Sequence, residues 1–287
     1  LKKRIQKRIH RQTRLKGSRW ILTRTNCCSK KTDRDTHFCA YPLKSLREVL
    51  SLIYSFSRLS LYEQCPFRFY LKYVEEREEP VTKPLALGKA VHKGIERIIE
   101  GDDLEKAVLA GFVEADFHPE VERDELQNLI QKAPVQPGMG QTEVHFELSL
   151  APSPSAPRIQ GYIDLLMEKE NGVWFMDWKT NWRTYNVFDT MQLPLYAWAV
   201  AEMKRLDEVA GSLYFLRFGQ KYRHTFTEEE MENARLWALE RAKEIEDRLF
   251  LLELEPESRD QLFPAKPSSY CHHCPFAVEC YVRLASS

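Results

Sequence analysis

Two apolar runs that meet at Asn171-Gly172 constrain the fold of this 287-residue chain more than any other feature. Arg158–Met167 and Val173–Thr180 each read as a strand, and Asn-Gly between apolar runs is the strongest short-range hairpin signal. With Asn171-Gly172 as the loop, Asp164 is expected opposite Lys179, and Asp177 opposite Leu166. Side chains alternate along a strand, and opposed residues point the same way. The pattern therefore predicts that Asp164, Asp177 and Lys179 converge on one side of a sheet.

Two carboxylates on one face repel unless something positive lies between them. A divalent cation meets that need, and Mg²⁺ or Mn²⁺ favours oxygen ligands. Asp177 ends the apolar run Val173-Trp174-Phe175-Met176, so a buried carboxylate there needs a partner. Lys179 can stabilise negative charge on a phosphate or orient an attacking water. A divalent ion would polarise that phosphate. An ordinary ion pair on a surface hairpin is the competing reading, because Asp-x-Lys is common in strands.

Helical spacings add candidates. Leu87, Val91, Ile95 and Ile98 form an apolar stripe, and Gly88, His92 and Glu96 recur on the face beside it. Gly88 is expected to let this helix approach a neighbour closely. His92 offers a nitrogen ligand, although a lone histidine is more often structural. Gln192 and Tyr196 stand four apart in an expected helix, Val187–Leu206. They suit hydrogen bonds to a phosphate backbone or a water, or simply a buried tyrosine and an N-terminal glutamine.

Further helices are expected over Ser55–Tyr73, with Ser57 as cap and a break at Cys65-Pro66, over Leu104–Phe117, and over Glu228–Leu252 behind Thr227. Glu143–Leu150, Gly211–Phe218 and Lys221–Phe226 read as strands, and Pro264–Val282 as a loop. Helices around a central group of strands make the class α/β or α+β.

The formal net charge of zero conceals an asymmetry: residues 1–48 hold fifteen Lys/Arg against three Asp/Glu. Such an arm can grip nucleic acid phosphates, or be a disordered tail outside the domain. The chain begins with Leu1, and the arm is expected not to belong to the domain, which occupies 49–287. No apolar run reaches the length of a membrane span, and no signal-peptide core follows the basic start. A cytoplasmic location without a membrane partner is expected.

Of seven cysteines, Cys27, Cys28 and Cys39 lie in the arm without metal-site spacing. Cys271-x2-Cys274-x5-Cys280 is a compact cluster, and Cys65 lies far upstream. Clustered cysteines in a cytoplasmic setting suggest metal or redox chemistry. Their spacing also permits Zn²⁺, with His272 and His273 at hand.

The ordered set Gly88-x3-His92-x3-Glu96, Gly161-Tyr162-Ile163-Asp164, Asp177-Trp178-Lys179 and Gln192-x3-Tyr196 resembles the RecB-like branch of the PD-(D/E)XK nuclease superfamily. The resemblance spans roughly Tyr54–Tyr281. It implies a restriction-endonuclease-like α/β fold, with a central mixed sheet flanked by helices. It implies that His92, Asp164, Asp177 and the carbonyl of Trp178 bind Mg²⁺ or Mn²⁺, and that Lys179 is the catalytic lysine. Gln192, Tyr196 and Glu96 are implied to support the site.

The four cysteines resemble the iron–sulfur staple of AddB-type and CRISPR-associated RecB-like nucleases. That likeness implies a [4Fe–4S] cluster on Cys65, Cys271, Cys274 and Cys280, joining the two ends of the domain. The implied activity is DNA cleavage, on single strands or ends, in repair, recombination or related processing. The implied partner is a helicase, or a CRISPR or repair protein. A non-catalytic DNA-binding or scaffolding subunit with the same fold is the alternative. A domain detached from a helicase–nuclease chain is another, since no Gly-x4-Gly-Lys-Ser/Thr motif is present.

Overall fold

A computed structural model describes residues 52–169 and 172–286. The basic arm of 1–48 and Asn171 lie outside the described residues. Strand β1 (Ile53–Tyr54) leads into helix α1 (Phe56–Gln64). The cap is Ser55 rather than Ser57, its hydroxyl accepting the Arg58 N–H at 3.3 Å. Cys65-Pro66 ends α1, and the chain restarts as Pro66–Phe69 and a wide π turn, Tyr70–Val74.

Next come α2 (Lys83–Ile99), α3 (Leu104–Glu114) and α4 (Arg123–Gln131). The last was not legible as a helix, being short and rich in charge. Then follow β2 (Gln141–Ser149), β3 (Arg158–Lys169), β4 (Gly172–Lys179) and α5 (Gln192–Lys204). Helix α5 begins at Gln192, later than Val187. Strands β5 (Val209–Phe215) and β6 (Gln220–Phe226) precede α6 (Glu228–Leu254). A capping box between Thr227 and Glu230 starts α6. The tail expected as loop contains a 3₁₀ turn, Ser269–His273, and helix α7 (Ala277–Ser286).

The sheet order is β1-β3-β4-β5-β6, with β2 also paired to β3. β1–β3 and β4–β5 are parallel and the other pairs antiparallel, so the sheet is mixed. One core lies between the sheet and α1, α5 and α6, and includes Leu59, Phe175, Val200 and Ile245. The second lies between the sheet and α2, α3 and α4, and includes Val91, Val108, Ile130 and Trp178. Burying both faces of the sheet gives a three-layer α/β domain. A fully buried side chain such as Phe215 would cost about 3–5 kcal/mol if cut to alanine.

The hairpin register differs from the sequence expectation by two positions. Lys169 opposes Gly172 and Leu165 opposes Met176, so Gly172 opens a strand instead of closing the loop. Continuing that register sets Asp164, not Leu166, across from Asp177. A two-residue shift leaves the alternation intact. The pairing itself, however, stops at Leu165–Met176, and β4 runs on beside β5 as far as Lys179 opposite Phe215.

The other edge of β3 is interrupted at the same place. Thr142 opposes Leu165 and Val144 opposes Ile163, while Glu143 and Asp164 drop out of the ladder. Glu143 adopts a φ of +49°, a conformation costing about 1–3 kcal/mol for a residue with a side chain. Ile159 and Ile163 enter the first core, but Leu165 and Met167 enter the second. Odd-numbered positions of β3 thus change sides at Asp164.

Candidate active site

Asp164 sits where β3 loses its pairing, and its carboxylate replaces a missing ladder acceptor. Oδ2 accepts the backbone N–H of Trp178 at 2.7 Å. Oδ1 lies 3.2 Å from His92 Nδ1 on α2, and His92 Nε2 lies 3.0 Å from the carbonyl oxygen of Trp178. Both ring nitrogens therefore face acceptors, as an imidazolium requires. Burial alone would lower the pKa of His92, but the Asp164 carboxylate, with Asp177 behind it, pushes it up to about 9. Burial would raise Asp164, yet His92 and the Trp178 N–H hold it below its ordinary value.

Asp177 and Lys179 point to the α5 side of β4. Lys179 Nζ lies 2.6 Å from Asp177 Oδ2 and donates to Gln192 Oε1 at 2.8 Å. Gln192 Nε2 donates to Asp177 Oδ1 at 3.1 Å, closing a triangle. The Lys179–Asp177 contact is a buried ion pair, the two side chains being 14% and 5% exposed. Burial raises Asp177 above its ordinary pKa despite Lys179. Burial alone would lower Lys179, but Asp177 outweighs it and the amine is held protonated.

Tyr196, one turn beyond Gln192, packs edge-on against Phe146 with ring centroids 5.5 Å apart. Burial, then the Asp177 carboxylate, raises its phenol and keeps it a neutral donor. Gly161 makes this packing fit: a Cβ there would stand 2.6 Å from the Phe146 ring and 3.3 Å from that of Tyr196. Gly88 has the lesser steric role, since its Cβ would meet only Thr180 Oγ1, at an ordinary 3.7 Å. The tight approach on α2 is at Gly94, against Ile130.

Glu143 was missed by the sequence reading. Its carboxylate, Asp164 and a His92 ring nitrogen lie within 4.8 Å of one another. Burial, then Asp164, pushes its pKa up to about 7. Period-two alternation hid it, because the residue sits at the break in the pleat. Glu96 lies on the same groove wall as His92, Glu143 and Asp164, and is held by Lys93 at 2.8 Å.

The donor set fits a hard divalent cation: carboxylates, a backbone carbonyl and one imidazole. The imidazolium already places positive charge beside Asp164, as Lys179 does beside Asp177. Buried Asp177 Oδ2 faces the Lys179 ammonium at 2.6 Å, so Lys179 and a cation would share this carboxylate.

Cys65, Cys271, Cys274 and Cys280 line one cavity of about 440 Å³, together with Arg68. No three of the four sulphurs, among the described residues, approach one another as closely as the His92–Glu143–Asp164 set. The two ends of the domain also touch here directly: Phe67 N donates to Pro264 O at 3.2 Å, and Lys266 Nζ to Glu63 O at 3.0 Å.

The strands of the mixed sheet part at Asp164, and the largely buried Lys179 lies on the neighbouring strand. The chain belongs to the PD-(D/E)XK nuclease superfamily, whose family model matches residues 53–281. No curated protein matches the chain. A solved structure titled "Crystal structure of SSO0001" is similar at 15% identity and a TM-score of 0.34, covering 82% of this chain and 95% of that one.

Proposed function

We propose that this chain is a Mg²⁺- or Mn²⁺-dependent deoxyribonuclease that acts on single strands or DNA ends, in repair, recombination or related processing. The observation that carries the reading is the meeting of His92, Asp164 and the Trp178 carbonyl beside the Asp177–Lys179–Gln192 triangle. His92, Asp164, Asp177 and Trp178 O would hold the ion, with Glu143 as a further candidate. When bound, the ion supplies Lewis-acid activation of the phosphodiester and of the attacking water.

The chain's own groups do the rest. His92 must release a proton before a ring nitrogen can ligate, so ion binding is coupled to deprotonation. Lys179 stays cationic and offers its charge to the phosphate in a site of low polarity. Gln192 fixes Lys179 and Asp177 relative to each other, and Tyr196 offers a neutral hydroxyl beside them.

The four cysteines are proposed to hold a structural [4Fe–4S] cluster, with Zn²⁺ as the competing occupant. Their shared cavity, the cationic Arg68 beside it and the contacts of Phe67 with Pro264 and of Lys266 with Glu63 support a staple. A helicase, or a CRISPR or repair protein, is the partner such a nuclease would serve. Among the described residues no helix is long and apolar enough to cross a membrane. The proposed location is the cytoplasm.

Cleavage of end-labelled single- and double-stranded DNA tests the reading. The wild type should cut with Mn²⁺ and not in chelator, and Asp177→Asn should cut neither substrate. Equal cleavage by the variant, or in chelator, contradicts it.

A further inference from the structure

Three residues beyond Lys179, Trp182 stands 73% exposed. It is not loose. The guanidinium of Arg217 lies 3.6 Å over its ring centroid. Arg217 is itself locked: Nε donates to Thr180 O at 2.8 Å, Nη2 donates to Glu125 Oε1 at 2.7 Å, and its side chain is only 12% exposed. Glu125 also holds Lys83 Nζ, at 3.2 Å, where α2 begins. One face of the indole is thus clamped on a rigid mount while the residue remains open to water.

The mount is tied to the catalytic strand. Arg217 bonds to the carbonyl of Thr180, the residue after Lys179, and Leu216 N donates to Lys179 O at 2.9 Å. Three residues span at most about 10 Å, so the backbone of Trp182 lies within that distance of the backbone of Lys179. Lys83 and Lys132 are tied to the same mount, the first through Glu125 at 3.2 Å and the second through Arg217 O at 3.4 Å. A fixed aromatic face backed by a guanidinium, next along the chain to the strand that carries Lys179, is what an unpaired base needs for stacking, and a paired base in a duplex cannot offer its face.

We propose that the open face of Trp182 is a stacking platform for an unpaired nucleobase next to the scissile phosphate, so that the site selects single-stranded DNA. The proposal rests on the nuclease reading and names the substrate class for it. Its test has two readouts. Binding of an end-labelled oligodeoxythymidylate is followed in chelator by fluorescence anisotropy, with the tryptophan quench recorded alongside, and KM and kcat are measured with Mn²⁺ on that oligomer and on a blunt duplex.

Trp182→Ala should weaken oligomer binding and raise its KM by about five- to a hundredfold, with kcat held within about twofold. Trp182→Tyr, which keeps a ring, should recover most of the loss, and the duplex should be unaffected. The quench on binding should vanish in both variants. Wild-type affinity in Trp182→Ala, or an equal loss on the duplex, overturns the platform. Oligomer binding that needs Trp182 in a protein that cuts nothing supports the platform and sinks the nuclease reading; cleavage indifferent to Trp182 does the reverse.

Discussion

Lys179→Met removes one charge from the site and leaves the side chain's length. In the wild type, Nζ lies 2.6 Å from Asp177 Oδ2, and the two side chains are 14% and 5% exposed. At an effective dielectric of about 20, unit charges at that separation attract by roughly 6 kcal/mol. Desolvation of both partners takes back part of this. Removing one member of such a pair commonly costs about 3–5 kcal/mol, because the other is left buried and uncompensated. Asp177 would keep only the Gln192 amide as a hydrogen-bond donor.

Burial already raises the Asp177 carboxyl, so in the variant it takes up a proton readily as pH falls. The loss should therefore be near 3 kcal/mol at pH 8 and smaller at pH 5. For a domain of this size that is a drop of about 6–12 °C in Tm. Thermal unfolding in chelator, followed by circular dichroism, measures it. The double variant Asp177→Asn/Lys179→Met should regain most of the loss, since no buried charge remains. An unchanged Tm at pH 8, or a double variant no better than the single, would refute the reasoning.

Three other perturbations follow from the geometry. Gly161→Ala drives a methyl into Phe146 and Tyr196 and should cost about 1–3 kcal/mol while lowering kcat, read by melting and turnover; no change in either contradicts the packing argument. Glu246, half-buried, is pushed up to about 7 by burial and then by Asp247. Its raised pKa means a stabilising contribution present below about 4.5 and lost as pH rises through about 7. Glu246→Gln should therefore gain roughly 1 kcal/mol at pH 8, after allowance for solvent screening, and almost nothing at pH 4.5, as pH-dependent melting would show. Cys274→Ser should lose the visible absorbance of an iron–sulfur cluster and melt at lower temperature; retention of both iron and stability counts against the staple.

The site was legible where local periodicity governs. His92 and Glu96 follow from helical spacing on α2, Gln192 and Tyr196 stand one turn apart on α5, and Asp177 and Lys179 share a face of a regular strand. Reading failed where tertiary structure breaks the period. Glu143 and Asp164 both leave the ladder at the point where β3 changes faces, so alternation could neither find the first nor orient the second. Asn-Gly suggested the hairpin but fixed its register two positions off, because Gly172 extends β4. Helix α4 escaped notice because its stability comes from Leu126, Leu129 and Ile130 packing on α2, not from propensity. Trp182 carries no local pattern, since its mount comes from Arg217 and Glu125, distant in sequence.

Manganese binding, followed by electron paramagnetic resonance on the wild type and Asp164→Asn, addresses the central claim most directly. The wild type should bind Mn²⁺ and release a proton at pH 8, because the Asp164 carboxylate pushes the His92 pKa up to about 9 and the ring must deprotonate to ligate. Asp164→Asn, which keeps the shape of the side chain, should weaken binding by more than about a hundredfold. Equal Mn²⁺ affinity in the two proteins, with no proton released by either, would contradict the assignment of this site.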